Sequence, residues 1–137
     1  MDRLFLDANV LFSAAYSANA GLLRFWKLKN VVLCSSRYAL EEAAINLAQD
    51  VQKRRLERLA VAIEFFVPIS GGLSQDLTLP DKDVPILLAA VAARATHLIT
   101  GDVRHFGRYV GKRIEGMLVS PPGYYLKKFD VLDRQGT

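Results

Sequence analysis

"PDKDVPILLAAVAARATHLITGD", residues 80–102, decides how this chain folds. It opens on Asp81 and Asp83 and then runs through an apolar stretch of helical length. Pro85 is tolerable only in the first turn of that helix, where N–H groups have no intrahelical acceptor to lose. The run ends in "HLIT" (97–100), short and apolar enough for a buried strand, and Asp102 follows at its tip. "RLFLD" (3–7) repeats the device, an apolar run that stops at Asp7. Two strands that each end in an acid suggest one site at the carboxyl edge of a parallel sheet, and the helix before 97–100 supplies a crossover.

Working outward, "VVLC" (31–34) reads as the second strand and "FFVPI" (65–69) as the third, with Pro68 placing it at an edge. "HLIT" is the fourth and "GMLVS" (116–120) the fifth. One helix is predicted from Asn9, and another over 20–29, where Leu22, Leu23, Phe25, Trp26 and Leu28 make an apolar stripe. Ser35 or Ser36 can cap a long helix through "RYALEEAAINLAQ", and 51 to about 64 carries Arg54, Arg55 and Arg58 on its polar side. "SGGLSQDLTL" (70–79) reads as a loop, and a short helix closes the chain. Alternating strands and helices imply right-handed crossovers, hence an α/β sandwich with a mainly parallel sheet of about five strands.

The 137 residues, 51% hydrophobic and 23% charged, suit one domain spanning 1–137. Eighteen basic residues against 14 acidic ones, a net charge of +4, permit a polyanionic partner. The single Cys34 rules out an internal disulfide framework and a Cys-rich zinc site; inside "NVVLCSS" it is expected to be a buried free thiol, in keeping with a cytoplasmic location. "LFSAAYSANA" has the small residues of a cleavage site, but Asp7 and Asn9 break its apolar segment, so no secretory signal is expected. No apolar run is long enough to span a bilayer.

In open parallel sheets the functional crevice lies beyond the carboxyl ends of the strands. Asp7 and Asp102 sit there. Asp81 and Asp83 reach the same rim if 65–69 is a strand, and Glu41 and Glu42 lie in the first turns of the helix leaving the second strand. Taken singly, Asp81 or Asp83 could be a helix cap, Glu41 and Glu42 solvated acids, and Asp7 or Asp102 turn residues. Their joint placement instead suits Mg²⁺ or Mn²⁺, which take oxygen ligands from a few carboxylates and a substrate phosphate. His105 is expected to be a solvated loop residue and His97 a strand-edge residue. "SGGLS" lacks the lysine of a phosphate-binding loop.

These residues resemble the PIN-domain nucleases, a family that includes the toxin half of VapC-like toxin–antitoxin pairs. The matching pieces are "FLDANVLFSA", "SSRYALEEAAINL", "DKDVPILLAAVAARATHLITGD" and Thr100-Gly101-Asp102, in the family's order up to about residue 106. The resemblance implies a three-layer α/β/α fold and Mg²⁺- or Mn²⁺-dependent cleavage of RNA. It makes Asp7, Glu42, Asp83 and Asp102 the acidic, metal-binding site, with Asn9, Ser13 and Thr100 as polar supports. Glu42 fits the spacing after "SSRYAL" better than Glu41, while helical phase leaves both open. Ala8 stands where the family very often has Thr, removing a possible hydroxyl contact.

The expected function is therefore a metal-dependent ribonuclease, the toxin of a two-component pair with a small antitoxin protein, acting as a homodimer. Setting the four acids aside leaves a distinctly basic remainder, and Arg104, Arg108, Lys112 and Arg113 follow Asp102 where they could track a phosphate backbone. The competing reading is a catalytically silent module of the same fold that holds RNA or a protein. Such a module need not keep all four acids.

Overall fold

The computed structural model describes residues 1–69 and 79–135; most of the loop expected over 70–79 lies outside the described residues. The elements run β1 (Asp2–Leu6), α1 (Ala8–Tyr16), β2 (Val31–Ser35), α2 (Arg37–Asn46), α3 (Asp50–Ala60) and β3 (Glu64–Phe65). The second half holds α4 (Val84–Ala92), β4 (His97–Ile99), α5 (Val103–Phe106), β5 (Arg113–Ile114), β6 (Met117–Ser120) and α6 (Pro122–Gln135). One sheet takes the order β3-β2-β1-β4-β6-β5 and is parallel except for the β5–β6 pair. With its helices it makes a three-layer α/β/α sandwich. None of the described helices is long and apolar enough to cross a membrane.

β1 lies at the centre because its residues tolerate nothing else: Leu4, Phe5 and Leu6 are fully buried, as a strand covered on both faces requires. From β1 the chain winds outward to β2 and β3, then returns to place β4 on the other side of β1. The strand order thus reverses between β1 and β4, where an open α/β sheet leaves a crevice at its carboxyl edge. The register makes the two strand ends level: Leu4 faces His97 and Leu6 faces Ile99. Asp7 N–H donates to the Ile99 carbonyl at 3.1 Å, so Asp7 and Thr100 leave the sheet side by side.

α4 is apolar all round, as a helix buried in the core should be, and it buries Ile86, Leu87, Ala89 and Ala90. Pro85 stands in its first turn. Ser36, not Ser35, caps α2 by accepting from Ala39 N–H at 3.2 Å, while the Ser35 hydroxyl donates to the Leu6 carbonyl at 2.8 Å. α3 does more than present arginines to solvent. Arg55 donates to the Ala15 carbonyl at 2.7 Å and Gln52 to that of Tyr16 at 3.1 Å, closing the carbonyl end of α1.

Four expectations need correction. The stretch 20–29 forms a 3₁₀ segment over Gly21–Lys27 in place of an α-helix: it has no side-chain cap and buries only Phe25, so it lacks the continuous stripe that would stabilise α turns. The third strand is Glu64–Phe65 alone, with Phe66 N–H making one further bond to the Ser35 carbonyl at 2.9 Å; Pro68 has no N–H to continue the ladder. β5 adds a sixth strand by pairing Ile114 with Met117 across Glu115-Gly116, whose φ angles of 50° and 84° are both left-handed, as this tight hairpin turn demands. The closing helix is not short: α6 runs 14 residues, and its Tyr125 stacks on Phe25 with ring centroids 6.0 Å apart.

Candidate metal centre

Asp7 is 5% exposed and holds its position by three donors. Its Oδ1 accepts from Ala8 N–H at 2.8 Å, and its Oδ2 accepts from the Thr100 hydroxyl at 2.8 Å and the Asn9 amide at 3.2 Å. Asn9 also accepts from Gly101 N–H at 2.8 Å. A Cβ on residue 101 would stand 3.3 Å from that Asn9 oxygen, so glycine keeps the two loops close. Thr100 Oγ1 accepts in turn from Asp102 N–H at 3.0 Å. Asn9 and Thr100 therefore tie the ends of β1 and β4 into one polar unit. Ser13 is exposed and lies outside the cavity lining.

A cavity of about 390 Å³ opens over this unit, lined by Asp7, Asn9, Phe12, Glu42, Asn46, Lys82, Asp83 and Asp102 with Ala8 and Ala43. All four candidate acids reach it from separate segments of the chain. The structure also separates the two glutamates of α2, because Glu42 lines the cavity while Glu41 is exposed outside it. Asp81 is exposed and outside the lining. Asp83 holds the N-cap position of α4 yet makes no capping hydrogen bond with its side chain. Asp83 lines the cavity instead.

The electrostatics are those of acids crowded into a poorly solvated space. Burial pushes Asp7 up to about 6, against the stabilising bonds from Thr100 and Ala8, and the charges of Asp83 and Asp102 push the same way. Burial likewise raises Asp83; His105 opposes the shift and Asp102 adds to it.

His105 departs from the expectation of a solvated loop residue. α5 begins directly after Asp102, and fully buried Phe106 anchors it, so His105, three residues on, folds back over the acids. Its Nδ1 stands 2.6 Å from Asp83 Oδ2 and 2.8 Å from Asp102 Oδ2. Neither of these approaches is a well-aligned hydrogen bond: Asp83 Oδ2 and His105 Nδ1 are both buried without such a partner. Asp83, Asp102 and His105 thus offer ligand atoms within 4.8 Å of one another, a set that could hold a metal ion. Sequence reasoning missed this residue and also Lys82, whose cation borders the cavity. The spacing Asp102-x-x-His105 on a helical turn was the available signal. Arg104, Arg108, Lys112 and Arg113 are exposed, and Arg113 donates to the Gly116 carbonyl at 3.2 Å.

Fold and site together define an α/β/α protein with a carboxylate-lined cavity at its topological switch point. The chain belongs to the PIN domain family, whose sequence profile matches residues 3–104. Among solved structures it resembles a chain of VapBC2 from Rickettsia felis, crystallised bound to a DNA fragment from their promoter. That likeness has a TM-score of 0.61 at 16% identity and covers 87% of this chain and 98% of the other. No curated protein sequence matches the chain significantly.

Proposed function

We propose that this protein is a metal-dependent endoribonuclease and the toxin component of a toxin–antitoxin pair. The observation that carries the reading is the convergence of Asp7, Glu42, Asp83 and Asp102 on one cavity, with a buried oxygen of Asp83 lacking an aligned hydrogen-bond partner. Such a donor set fits Mg²⁺ or Mn²⁺. A divalent ion held there would supply an acidified water and neutralise charge developing on a phosphoryl group.

The chain's own residues complete the reading. Thr100 and Asn9 hold the Asp7 carboxylate in one orientation, which is what a preorganised site requires. Lys82 at the cavity wall is placed to meet a substrate phosphate, and exposed Arg104, Arg108, Lys112 and Arg113 offer further cations for an RNA backbone. The likeness to a VapBC2 chain supports an antitoxin protein as partner; a cytoplasmic location belongs to the same proposal. A homodimer is part of the same proposal: light scattering at tens of micromolar, about the range of weak dimers, should return twice the monomer mass. The deciding experiment is cleavage of single-stranded RNA with Mg²⁺ or Mn²⁺ and in excess chelator. Cleavage only with metal is expected, and cleavage that persists in chelator overturns the proposal.

A further inference from the structure

We propose that His105 is itself a ligand of the metal ion, so that the centre is a mixed nitrogen–oxygen site that prefers Mn²⁺ to Mg²⁺. This rests on the reading that the acids bind a divalent ion, and it assigns a residue one position beyond the span matched by the PIN profile.

Three observations carry it. First, Nδ1 of His105 approaches two carboxylate oxygens from different chain segments, at 2.6 Å and 2.8 Å. Three polar atoms converge on one point, and positive charge lies among them: a proton on Nδ1 when the site is empty, the metal in its place when an ion is bound. Second, the buried Asp83 oxygen and the His105 nitrogen are the buried side-chain atoms left without an aligned hydrogen bond among the described residues. Elsewhere the same site is saturated: Asp7 has three donors. Buried polar atoms in native proteins nearly always make aligned hydrogen bonds, so two that meet only as a close, misaligned ion pair mark a place where a cation fits. Third, the separation is almost that of adjacent ligands. Atoms on neighbouring corners of an octahedral shell with bonds of about 2.1 Å sit about 3 Å apart, so the imidazole needs to withdraw by only a few tenths of an ångström. With its proton on Nε2, a neutral imidazole presents the Nδ1 lone pair to that position.

A nitrogen donor changes which ion the site selects. Mg²⁺ prefers oxygen and holds its waters, whereas imidazole contributes more to binding first-row transition ions. A site that adds one imidazole to the carboxylates of Asp83 and Asp102 should therefore bind Mn²⁺ more tightly than Mg²⁺.

The chain has two histidines, and His97 lies at the opposite end of β4, edge-on to Tyr125 with centroids 5.0 Å apart. Histidine labelled with ¹⁵N therefore reports on the metal through His105 alone. Pulsed electron paramagnetic resonance of the Mn²⁺-loaded protein should show a histidine nitrogen coupling that changes with the label. Competition titrations should show Mn²⁺ bound at least about tenfold more tightly than Mg²⁺, and His105→Asn should lower that ratio by about tenfold or more. If Mn²⁺ binds but no histidine coupling appears, His105 is not a ligand, whether or not the variant folds, and the acidic metal centre stands without it. A Mn²⁺ to Mg²⁺ ratio unchanged in a folded His105→Asn overturns the inference as well. If the wild-type protein binds neither ion, the inference and the proposed function fall together.

Discussion

The two ends of β1 carry one aspartate each, and their carboxyls are pushed in opposite directions. At the start of the strand, Asp2 accepts from the Tyr125 hydroxyl at 2.6 Å and lies 3.5 Å from the Lys128 ammonium. The Tyr125 bond is the chief reason its carboxyl is held below the ordinary range, with His97 and Lys128 helping. At the other end, burial and two neighbouring acids hold Asp7 above it, at about 6. Around Asp2 the polar groups are paired: Thr96 Oγ1 accepts from Arg3 N–H at 2.9 Å, and Arg3 Nε donates to the Ala93 carbonyl at 2.8 Å. Around Asp7 like charges are pooled and Asp83 keeps a buried oxygen without an aligned partner. At one edge of the sheet the charges are compensated; at the other, acids are crowded with little compensation, the pattern that functional regions commonly show.

The largest test of that contrast is activity. Asp102→Asn and Asp7→Asn should each lower metal-dependent RNA cleavage by at least about a hundredfold, the upper range for loss of metal-supporting groups, while Asp2→Asn should stay within about twofold. Equal losses at both ends of β1 would erase the distinction.

Stability should respond in the opposite sense. A carboxyl raised from 3.8 to about 6 favours its protonated form in the folded state, so its contribution is fully present below pH 3.8 and lost as the pH rises through about 6. The shift corresponds to an upper figure of about 3 kcal/mol at neutral pH. In chelator at pH 7, Asp7→Asn should therefore melt above the wild type, by about 3–5 °C if about 1 kcal/mol survives relaxation of the site. That gap should close as the pH falls from about 6 to 4, and added Mn²⁺ or Mg²⁺ should stabilise the wild type more than the variant. Differential scanning calorimetry of both proteins with and without metal reads all three; equal metal-induced shifts would sink the assignment of Asp7.

Tyr125→Phe isolates the satisfied edge. It keeps the ring against Phe25 and His97 but removes the bond to Asp2. A cost of about 1 kcal/mol is expected, a fall of a few degrees with cleavage unchanged. The smallest effect belongs to Asp2→Asn. Its carboxyl is lowered, so the stability it contributes is present above pH 3.8 and lost as the pH falls below that value. Solvent screening limits the effect to a few tenths of a kcal/mol, and the wild type and variant should melt together near pH 3.

Much of the molecule is legible in local pattern. The apolar runs at 3–7 and 97–100 read as buried strands, and Pro85 fixes where α4 starts, because each depends on neighbours in the chain. β5 was missed because its turn asks Glu115, a residue with a Cβ, to take a left-handed φ of 50°, which local preference argues against. The 20–29 stretch was misjudged because its stripe of large apolar residues does not say which of them the core will accept. It accepts Phe25.

By itself the sequence determined which acids exist and which of them stand at strand tips, since a strand that ends in Asp places that Asp beyond the sheet wherever the sheet lies. Its helical phase could not separate Glu41 from Glu42, adjacent on one helix, although spacing favoured Glu42, and it could not bring His105 onto Asp83, 22 positions earlier. Those outcomes depend on the roll of α2 over the sheet and on Phe106 sinking into the core to turn α5 back on Asp102. Only packing supplies them: rotation of a helix about its axis changes no local energy until another surface decides which side chain faces it.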